Sequence, residues 1–505
     1  MKRSALVLAA LVAAAACSAP ADDAPSRAEG GPAPAAPSTA DGSAPPRPPE
    51  PPPPPVEPNM LVAAEILGRP TPSSVDVSLV PAEPLEGYVE AGVAPGLYSV
   101  KTPTRALTPR DPAVFRIEGL APDARWSYRL RLRRPGEAGF RASAERHFHT
   151  RRAPGSTFTF TIQSDSHLDE NSVLEQYRLT LANVLADDPD FHVDLGDTFM
   201  CDTKSAAMDP ANVPAADEAT VAARYLYERD NFGLVAHSVP LFLVNGNHEG
   251  ETGFLVNPGG FDLATWASRA RARYYLPPIP DGFYSGDPFV EPNLGQRGSW
   301  YAFQWGDALF VALDPFWGVT KKSSDGWAIT LGERQYRWLE QTLASSTAKY
   351  KFVFLHNLVG GLDGQMRGGV EAAPFFEWGG KELDGSDGFA TKRPGWTAPI
   401  HDLLVQAKVS AVFHGHDHVY VKQELNSVVY QEVPQPSARN TNSGASIAAS
   451  YHYETGTIVS SAGHVRVTVS PSKVDITYVR SWLPQSETAQ QKNRQVADAY
   501  TILPK

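Results

Sequence analysis

The chain has 505 residues, enough for about two or three domains, and its 42% hydrophobic content is ordinary for a globular protein. The net charge of −11 provides no basic footprint for nucleic acid, so we expect no nucleic-acid partner. The chain has only 2 cysteines, Cys17 and Cys201, which excludes a disulfide framework. We predict that Cys201 is a packed free thiol.

The N-terminus has the pattern of an export signal. Lys2 and Arg3 precede an apolar run that is too short to span a bilayer and suits a signal peptide. Cys17 follows four alanines, which resembles a bacterial lipobox, although Ala14 stands where leucine is usual. We therefore predict a signal segment over residues 1–17, with Cys17 lipidated. The protein would then be a membrane-tethered lipoprotein of the periplasm or cell surface. The alternative is ordinary signal cleavage with an incidental cysteine.

Residues 18–58 hold 15 of the chain's 45 prolines and are predicted to form a disordered linker. From residue 59 to 153 the pattern changes to short alternating runs separated by proline and glycine, which predicts a small antiparallel β-sandwich. Leu120-Ala121-Pro122, followed by Trp126 and Tyr128, resembles the corner of fibronectin type III domains. We read His147 and His149 as surface or inter-domain residues.

Residues 154–505 alternate strands with helical stretches, which predicts a mixed α/β domain. Apolar residues recur at helical spacing over 173–185, with Asn171 or Ser172 as the expected cap. A capping box at Thr330 to Glu333 and a short pattern from Ile400 predict two further helices. A hairpin is expected around Trp305-Gly306-Asp307.

Three long stretches interrupt this pattern, at about 198–217, 250–298 and 357–398. We predict them to be irregular, and the second and third are rich in glycine and aromatic residues. Loops of this length inside a compact domain are usually functional. Since each begins just after a candidate ligand segment, we expect them to wall the pocket and to select the substrate.

Polar side chains of metal-binding type follow five apolar strands. Because ligands bind at the carboxyl ends of strands in α/β sheets, these side chains are expected to meet. Carboxylate, imidazole and amide oxygen together suit Zn, Mn or Fe, and so many donors suggest two metals that share a carboxylate. The candidate segments are Asp165-Ser166-His167, Val193 to Asp197, Gly246-Asn247-His248-Glu249, Leu355-His356-Asn357 and Gly415-His416-Asp417-His418.

These motifs, Asp-x-His, Gly-Asp, Gly-Asn-His-Glu, a lone His and Gly-His-x-His, resemble the calcineurin-like metallophosphoesterases in full order over about residues 156–480. The preceding sandwich is similar to that of the purple acid phosphatase branch. The resemblance implies a four-layer α/β/β/α domain after a fibronectin III-like sandwich. It also implies that one divalent or trivalent ion takes Asp165, His167, Asp197 and His418. The other takes Asp197, Asn247, His356 and His416, with Asp197 as the bridge.

The sequence departs from that branch at two positions. Met200 stands where the purple enzymes have a metal-binding tyrosine, and His167 stands where they have glycine. We expect His167 to replace the tyrosine as a ligand. The resemblance also implies that His248 stays off the metals and that His248 and Asp197 are the catalytic residues. His248 is placed to donate a proton to the leaving oxygen or to stabilise the transition state.

The expected reaction is hydrolysis of a small phosphate ester by direct attack of metal-bound hydroxide, without a covalent intermediate. A phosphomonoester is slightly favoured. The alternatives are a phosphodiester, a nucleotide or pyrophosphate, or a non-catalytic surface binding protein. Arg367 and Trp378 are predicted substrate contacts, Arg367 for phosphate and Trp378, or Trp317, for an apolar leaving group.

Three further residues are predicted to lie around the ligands. Asp194 and Glu249 are expected to orient ligands, and His414 is expected either to do the same or simply to pack in the core.

Overall fold

The structure is a computed structural model that describes residues 52–203, 214–257, 259–439 and 441–505. The predicted signal segment, Cys17 and most of the predicted linker lie outside the described residues. Pro53–Lys505 form one compact unit. Across the described ranges, none of the helices combines the length and the apolar character needed to cross a membrane.

The first part of this unit is an all-β sandwich, as the alternating runs predict. One sheet has the order β1-β2-β6, and the other has the order β4-β3-β7-β8, with β5 on β3 and β9 on β7. The strands are β1 (Leu61–Gly68), β2 (Ser74–Pro81), β3 (Leu85–Gly92), β4 (Val100–Lys101), β5 (Arg105–Leu107), β6 (Ala113–Glu118), β7 (Arg125–Arg133), β8 (Arg141–Ala142) and β9 (Arg146–His149). Trp126 and Tyr128 point into the core between the two sheets.

The end of the predicted linker is part of this unit. The backbone N–H of Val56 donates to the carbonyl of Ala142, and the N–H of Ala142 donates to the carbonyl of Pro54. Glu57 forms ion pairs with Arg134 and Arg141. The chain therefore joins the sandwich a few residues before the predicted boundary at residue 58.

Two further sheets form the second part. One has the order β12-β11-β10-β21-β22-β23 and the other β13-β14-β15-β16-β17-β19-β18-β20. The strands are β10 (Phe158–Gln163), β11 (Phe191–Asp194), β12 (Leu241–Leu243), β13 (Ser285–Gly286), β14 (Tyr301–Trp305), β15 (Ala308–Ala312), β16 (Tyr350–Phe354), β17 (Ala411–His414), β18 (Tyr420–Leu425), β19 (Val428–Glu432), β20 (Thr457–Val459), β21 (Gly463–Val469), β22 (Val474–Arg480) and β23 (Val496–Ile502). The predicted hairpin is β14 and β15.

The two sheets pack face to face over an aromatic core that includes Phe160, Phe191, Phe310 and Phe354. Helices cover both outer faces. They are α1 (Leu174–Ala186), α2 (Glu218–Ala236), α3 (Leu263–Tyr274), α4 (Gly332–Ser345), α5 (Phe376–Gly379), α6 (Phe389–Lys392), α7 (Ile400–Gln406) and α8 (Gly444–Ser450). Helices α1 to α3 share one apolar cluster, and α4, α5 and α7 share another. The four-layer α/β/β/α prediction is confirmed.

Sequence analysis missed two features of these helices. Helix α3 lies inside the stretch 250–298 that was expected to be irregular. Between Leu263 and Tyr274 its buried positions are all small or charged residues, so the helical period of large apolar residues is weak. Helix α2 was not predicted either. Its buried side also carries charged side chains, such as Arg224, which mask the apolar period.

Two predicted helix caps are wrong in detail. Helix α1 begins after Val173, with no side-chain cap from Asn171 or Ser172. At α4 the backbone N–H of Leu331 donates to Glu377 Oε1, so a carboxylate from the third long stretch does what the local Glu333 was expected to do.

Candidate metal centre

The predicted ligands stand just beyond the carboxyl ends of five strands of the second part. Strand β10 ends at Gln163, β11 at Asp194, β12 at Leu243, β16 at Phe354 and β17 at His414. β10, β11 and β12 run parallel, as do β16 and β17, so their carboxyl ends point the same way. The two packed sheets thus present their polar side chains along one common edge.

The side chains meet there in two groups. Asp165, His167 and His418 form one group, and Asp197, His356 and His416 form the other, with ligand atoms within 4.8 Å of one another in each. Asp197 Oδ2 lies 3.1 Å from His356 Nε2 and 3.6 Å from His167 Nε2, so this oxygen faces both groups. Two ligands bound to one cation at about 2.1 Å stand roughly 3–3.5 Å apart, so these separations suit shared cations.

Each carboxylate divides its two oxygens in the same way. Asp165 Oδ2 accepts the backbone N–H of His416 at 2.8 Å, and Asp197 Oδ1 accepts the backbone N–H of His248 at 2.8 Å. One oxygen of each carboxylate is therefore fixed by the main chain of another strand end. The other oxygen, Asp165 Oδ1 or Asp197 Oδ2, faces the centre.

Hydrogen bonds also set which ring nitrogen each histidine presents. His356 Nδ1 donates to the carbonyl of Leu195 at 3.0 Å, which leaves Nε2 to face Asp197. His416 Nε2 donates to the carbonyl of Gln365 at 2.7 Å, which leaves Nδ1 to face the centre. Outer partners of this kind fix the tautomer and orientation of metal-binding histidines.

Four of the predicted ligand atoms are buried and lack a hydrogen-bond partner within the described ranges. They are Asp165 Oδ1, Asp197 Oδ2, His167 Nε2 and Asn247 Oδ1. His167 Nε2 lies 3.5 Å from Asp165 Oδ1 and 3.6 Å from Asp197 Oδ2, so three of these atoms converge. A buried polar atom without a partner costs free energy, so such a cluster is unfavourable unless a bound group satisfies it. Since all four are metal-donor atoms, the residues present fit a pair of cations.

The electrostatics of the site agree with this fit. Burial alone lowers the pKa of His356, but the carboxylates of Asp197 and Asp165 outweigh it and raise that pKa to about 9. Burial likewise lowers the pKa of His167, and the nearby carboxylates of Asp165 and Asp169 outweigh it and raise that pKa to about 10. The buried carboxylates thus create a strongly negative site that favours positive charge.

The backbone of the centre is strained. Five of the predicted ligands have left-handed φ angles, at 63° for Asp165, 57° for His167, 50° for Asp197, 81° for His416 and 57° for His418. Non-glycine residues in this region are uncommon, and such strain concentrates at functional sites. The tight turns aim consecutive ligands at one point, which an extended chain would not do.

Close contact between strand ends explains the glycine in the last motif. A Cβ atom built on Gly415 would stand 2.5 Å from Asp165 Oδ2 and closer still to Ser164 Oγ. Any larger residue would therefore displace Asp165 from the centre.

His248 lies beside the centre without joining either group. Its Nδ1 is 2.7 Å from Asp202 Oδ1, and its Nε2 is 4.0 Å from Asp197 Oδ2. The side chain is 24% exposed, so it faces both the centre and solvent. Burial by itself lowers the pKa of His248, but the carboxylates of Asp197 and Asp202 outweigh it and raise the pKa. The ring is therefore placed as a proton donor, and the two carboxylates favour its protonated form.

The third long stretch, 357–398, reaches the centre through Arg367. Its Nη1 donates to the carbonyl of His416 at 2.6 Å and to Asp417 Oδ1 at 3.0 Å, and its guanidinium stacks on the Tyr451 ring at 4.2 Å. Arg367 therefore supports the Gly-His-x-His turn. Its predicted contact with the substrate phosphate stays a prediction.

The second predicted substrate contact is wrong. Trp378 is fully buried in the apolar cluster of α4, α5 and α7, and its Nε1 donates to the Tyr430 hydroxyl at 2.9 Å. Since no part of the ring is exposed, Trp378 cannot stack on a leaving group. Trp317 is partly exposed.

The residues assigned supporting roles hold the turns in place. Glu249 accepts the backbone N–H groups of Thr198 and Gly246, and Asp194 accepts that of Gly196. His414 Nδ1 lies 2.7 Å from Glu432 Oε2, behind the last motif. Cys201 is a buried free thiol, as predicted.

Sequence reasoning missed several partners of the centre. Asp417 is the hub among them, because it accepts hydrogen bonds from Arg367, the backbone of Gly368 and the hydroxyl of Tyr453. Asp417 stands inside a recognised motif and Asp202 shortly after one, so their positions in the sequence could have identified them. No sequence signal could have identified the Gln365 carbonyl, because every residue has a carbonyl group.

Comparison with known proteins agrees with this geometry. Residues 158–420, more than half of the chain, match the family described as calcineurin-like phosphoesterase. A comparison with curated protein sequences gave no match.

Two solved structures share the fold over most of the chain. A structure of PhoD aligns with 14% identity and a TM-score of 0.63, covering 89% of this chain and 92% of PhoD. The purple acid phosphatase PPD1 from yellow lupin (Lupinus luteus) seeds aligns with 17% identity and a TM-score of 0.56, covering 87% and 74%. At these identities the likeness shows the fold, and the sequence match carries the family. The chain belongs to the calcineurin-like phosphoesterases and is a metal-dependent hydrolase of phosphate esters.

Proposed function

We propose that this protein is an exported phosphomonoesterase that uses two metal ions and transfers the phosphoryl group directly to water. The observation that carries the proposal is the position of His248, partly exposed, held by Asp202 and next to the shared carboxylate Asp197. A proton donor at that place serves the departure of an alcohol from phosphate.

The residues of the chain divide the work as follows. Asp165, His167, Asp197 and His418 would hold one cation, and Asp197, Asn247, His356 and His416 the other. Two such cations activate a water and offset the charge of the phosphate oxygens. Asp202 accepts from His248 Nδ1, so His248 Nε2 is left to protonate the leaving oxygen.

A covalent intermediate is not part of the proposal. Burial raises the pKa of the Cys201 thiol, so this cysteine stays protonated and is a poor nucleophile. The backbone N–H of Cys201 donates to the carbonyl of His248, which gives the residue a structural role beside the acid.

The choice of a monoester is supported by the resemblance to acid phosphatases. Iron, zinc and manganese all suit the donor set of carboxylate, imidazole and amide oxygen. Met200 occupies the position of the tyrosine of the purple enzymes, so we propose a centre without their colour.

The experiment that tests this proposal measures metal content and turnover together. The full chain in detergent is loaded with Mn, Zn or Fe and assayed with 4-nitrophenyl phosphate and bis(4-nitrophenyl) phosphate from about pH 5 to 9, where a metal-activated water titrates. We expect about two metals per chain and preference for the monoester. We expect Asp197→Asn to lose bound metal and to lower the rate more than about 100-fold. Changes in the outer partners of metal ligands reduce affinity or activity by up to about that factor, and the loss of a shared ligand should exceed it.

Each other result has a defined meaning. Preference for the diester would change the proposed substrate class from phosphomonoesters to phosphodiesters and would leave the proposed metal chemistry unchanged. Metal binding without turnover of either ester would favour the binding-protein alternative. Protein that binds none of the three metals would overturn the proposal.

We also propose a location and a layout. The basic start, apolar run and Cys17 support export and lipid anchoring at the periplasmic or cell-surface side of a bacterial membrane. Residues 59–153 and 154–505 would then form a sandwich and a catalytic domain beyond a proline-rich linker. In cells, Cys17→Ala should move the protein from the membrane to the soluble fraction. Unchanged membrane association of that variant would disprove the anchor.

A further inference from the structure

A cleft is lined by residues of the second long stretch and by Trp317. Its volume is 460 Å³, and its apolar lining comes from Val256, Trp266, Leu294 and Trp317. Small-molecule sites are commonly clefts of about 300–1,000 Å³ lined mainly by apolar and aromatic side chains. The size and lining of this cleft fit that description, and the metal chemistry does not use it.

The wall of the cleft is tied directly to a metal-binding residue. Trp317 follows Phe316, whose ring centroid lies 5.9 Å from that of His356. Asp314 Oδ1 accepts the backbone N–H groups of both Phe316 and Trp317, so one turn holds the two rings. Consecutive Cα atoms are about 3.8 Å apart. Trp317 at the cleft therefore lies directly beside Phe316, whose ring packs on His356.

The opposite wall is connected to the catalytic segment. The backbone N–H of Gly253, five residues after His248, donates to the carbonyl of Phe316 at 3.2 Å. The same segment continues to Val256 at the cleft. The cleft is therefore bordered by the continuations of two segments that build the centre.

Trp317 is held as a fixed wall. The guanidinium of Arg297 lies 3.7 Å from its ring centroid, and its Nε1 donates to Glu291 Oε1 at 3.2 Å. Trp266 stands on helix α3 and packs edge to face on Phe261 at 5.2 Å. Two partly exposed tryptophans thus offer rings to a ligand, and aromatic stacking is favourable at such surfaces.

The charges of the cleft exclude one class of ligand. Its ionisable lining residues are Asp262, Arg269 and Glu291. Arg269 forms an ion pair with Glu218 at 3.5 Å, and its Nε and Nη2 donate to the carbonyl of Asn293. Glu291 is paired in the same way, with Arg334 at 3.3 Å. The described lining therefore offers no unpaired cationic side chain to hold a second phosphate or carboxylate.

We propose that this cleft is the subsite for the leaving group, and that it takes the aromatic or apolar, non-anionic alcohol of a phosphate ester. This inference rests on the proposed phosphoesterase function and narrows it. It predicts poor turnover of nucleotides and pyrophosphate, whose leaving groups carry further phosphate charge. The ester's phosphate lies at the two cations while the ring of its alcohol packs on Trp266 and Trp317.

The test compares two alcohols of similar reactivity that differ in the ring. The metal-loaded full chain is assayed with 2-phenylethyl phosphate and ethyl phosphate, and kcat/KM is taken as a ratio. We expect the wild type to prefer the aromatic ester by about tenfold or more, the discrimination that a few buried methylenes or a ring supplies. Trp266→Ala and Leu294→Asp should each reduce that ratio toward about one.

Trp338→Ala is the matched control, because Trp338 is a partly buried tryptophan of α4 that packs on Trp300 away from this cleft. It should keep the wild-type ratio. A wild type without aromatic preference, or a preference that survives in both cleft variants, would overturn the subsite alone. Failure of the wild type to hydrolyse any ester would overturn the proposed function and this inference with it.

Discussion

At the scale of single residues, the centre depends on how each side chain divides its polar atoms. Asp165 and Asp197 each give one oxygen to a backbone N–H and keep the other for the centre. His356 and His416 present opposite ring nitrogens because each donates its other nitrogen to a carbonyl. Within the part of the chain that the structure describes, this arrangement leaves donor atoms without hydrogen-bond partners, and bound cations would satisfy them.

The role of His248 as the acid is tested by leaving groups of different quality. His248→Ala should keep the metal content and lower the rate by about 100- to 10,000-fold, the usual range for general acid catalysis. The loss should be smaller for 4-nitrophenyl phosphate than for ethyl phosphate, because nitrophenolate departs without a proton. Rates of both esters, with metal analysis, check this.

His452→Ala is the control for that variant, because His452 is an exposed histidine that pairs with Asp363. It should behave as the wild type. Equal losses on the two esters in His248→Ala would argue that His248 positions the centre and does not protonate the leaving group.

Asp417 acts through the residues on either side of it. It accepts hydrogen bonds from Arg367, Gly368 and Tyr453, and it lies between His416 and His418. Asp417→Asn should weaken metal affinity by about 10- to 100-fold, as changes in outer partners commonly do. Activity should return when excess metal is added. Metal titrations followed by activity and by equilibrium dialysis measure both effects.

The control for this change is Asp384→Asn, in the long stretch 357–398, because Asp384 bonds only to Ser386 within the hydrogen bonds described. Its affinity should match the wild type. Unchanged affinity in Asp417→Asn would show that the hub does not hold the ligands.

At the scale of elements, a buried ion cluster fixes the second long stretch beside the centre. Glu251, after β12, accepts from Arg271 of α3 at 2.6 Å and from Arg297, before β14, at 2.9 Å. All three side chains are buried. Burial alone raises the pKa of Glu251, but the two guanidinium groups outweigh it and lower the pKa to about 2.

Glu251→Gln should destabilise the protein in a pH-dependent way. A carboxyl whose folded pKa falls from 4.5 to about 2 adds stability above pH 4.5 and loses it as the pH falls through about 2. The shift corresponds to about 3 kcal/mol near pH 7. The gap in free energy of unfolding between wild type and variant should shrink by about 2 kcal/mol at pH 3. Urea titrations at the two pH values measure it.

Asp111→Asn provides the comparison, because Asp111 pairs with Arg273 at 3.5 Å in an ion pair whose side chains are 53% and 64% exposed. Exposed pairs contribute only about 0–1 kcal/mol. If the difference in free energy of unfolding between wild type and Glu251→Gln did not change with pH, the contacts of the two arginines would not depend on the charge of Glu251.

At the scale of the whole molecule, the sandwich and the α/β part are joined by buried polar contacts. The hydroxyl of Tyr128 in β7 donates to the carbonyl of His237, at the end of α2, at 2.6 Å. Arg229 of α2 is fully buried and donates to the carbonyl of Ser78 in β2 at 2.7 Å. Arg152 donates to Asp190 at 2.9 Å near the junction. These contacts make the two parts one compact unit.

We therefore expect Pro53–Lys505 to unfold in one calorimetric transition. Tyr128→Phe should lower the stability by about 1–3 kcal/mol, because the His237 carbonyl is left buried without its donor. Scanning calorimetry of wild type and variant checks both statements. Tyr98→Phe, which removes an exposed hydroxyl of the same sandwich, should have a smaller effect. Two separate transitions in the wild type would contradict the shared unit.

The sequence by itself determined the two kinds of architecture and the residue types at the strand ends. Period-two alternation and short apolar runs are local patterns, so they are visible without the fold. The motifs around Asp197, His248 and His416 predicted the metal chemistry because each carries its ligands within a few residues. Helix α3 was missed for a local reason as well. Most of its buried positions are small or charged residues, so the helical period of its apolar residues is not visible in the sequence.

Only the tertiary structure decided which atoms face the centre and which rings face solvent. Asp165 meets the backbone of a residue 251 positions away, and Arg367 meets Asp417 across 50. The sequence did not show which of Trp378 and Trp317 is exposed. Packing buries the first side chain completely and places the second at the cleft. Partners so far apart along the chain leave no local pattern, because their proximity is created by the packing of the two sheets.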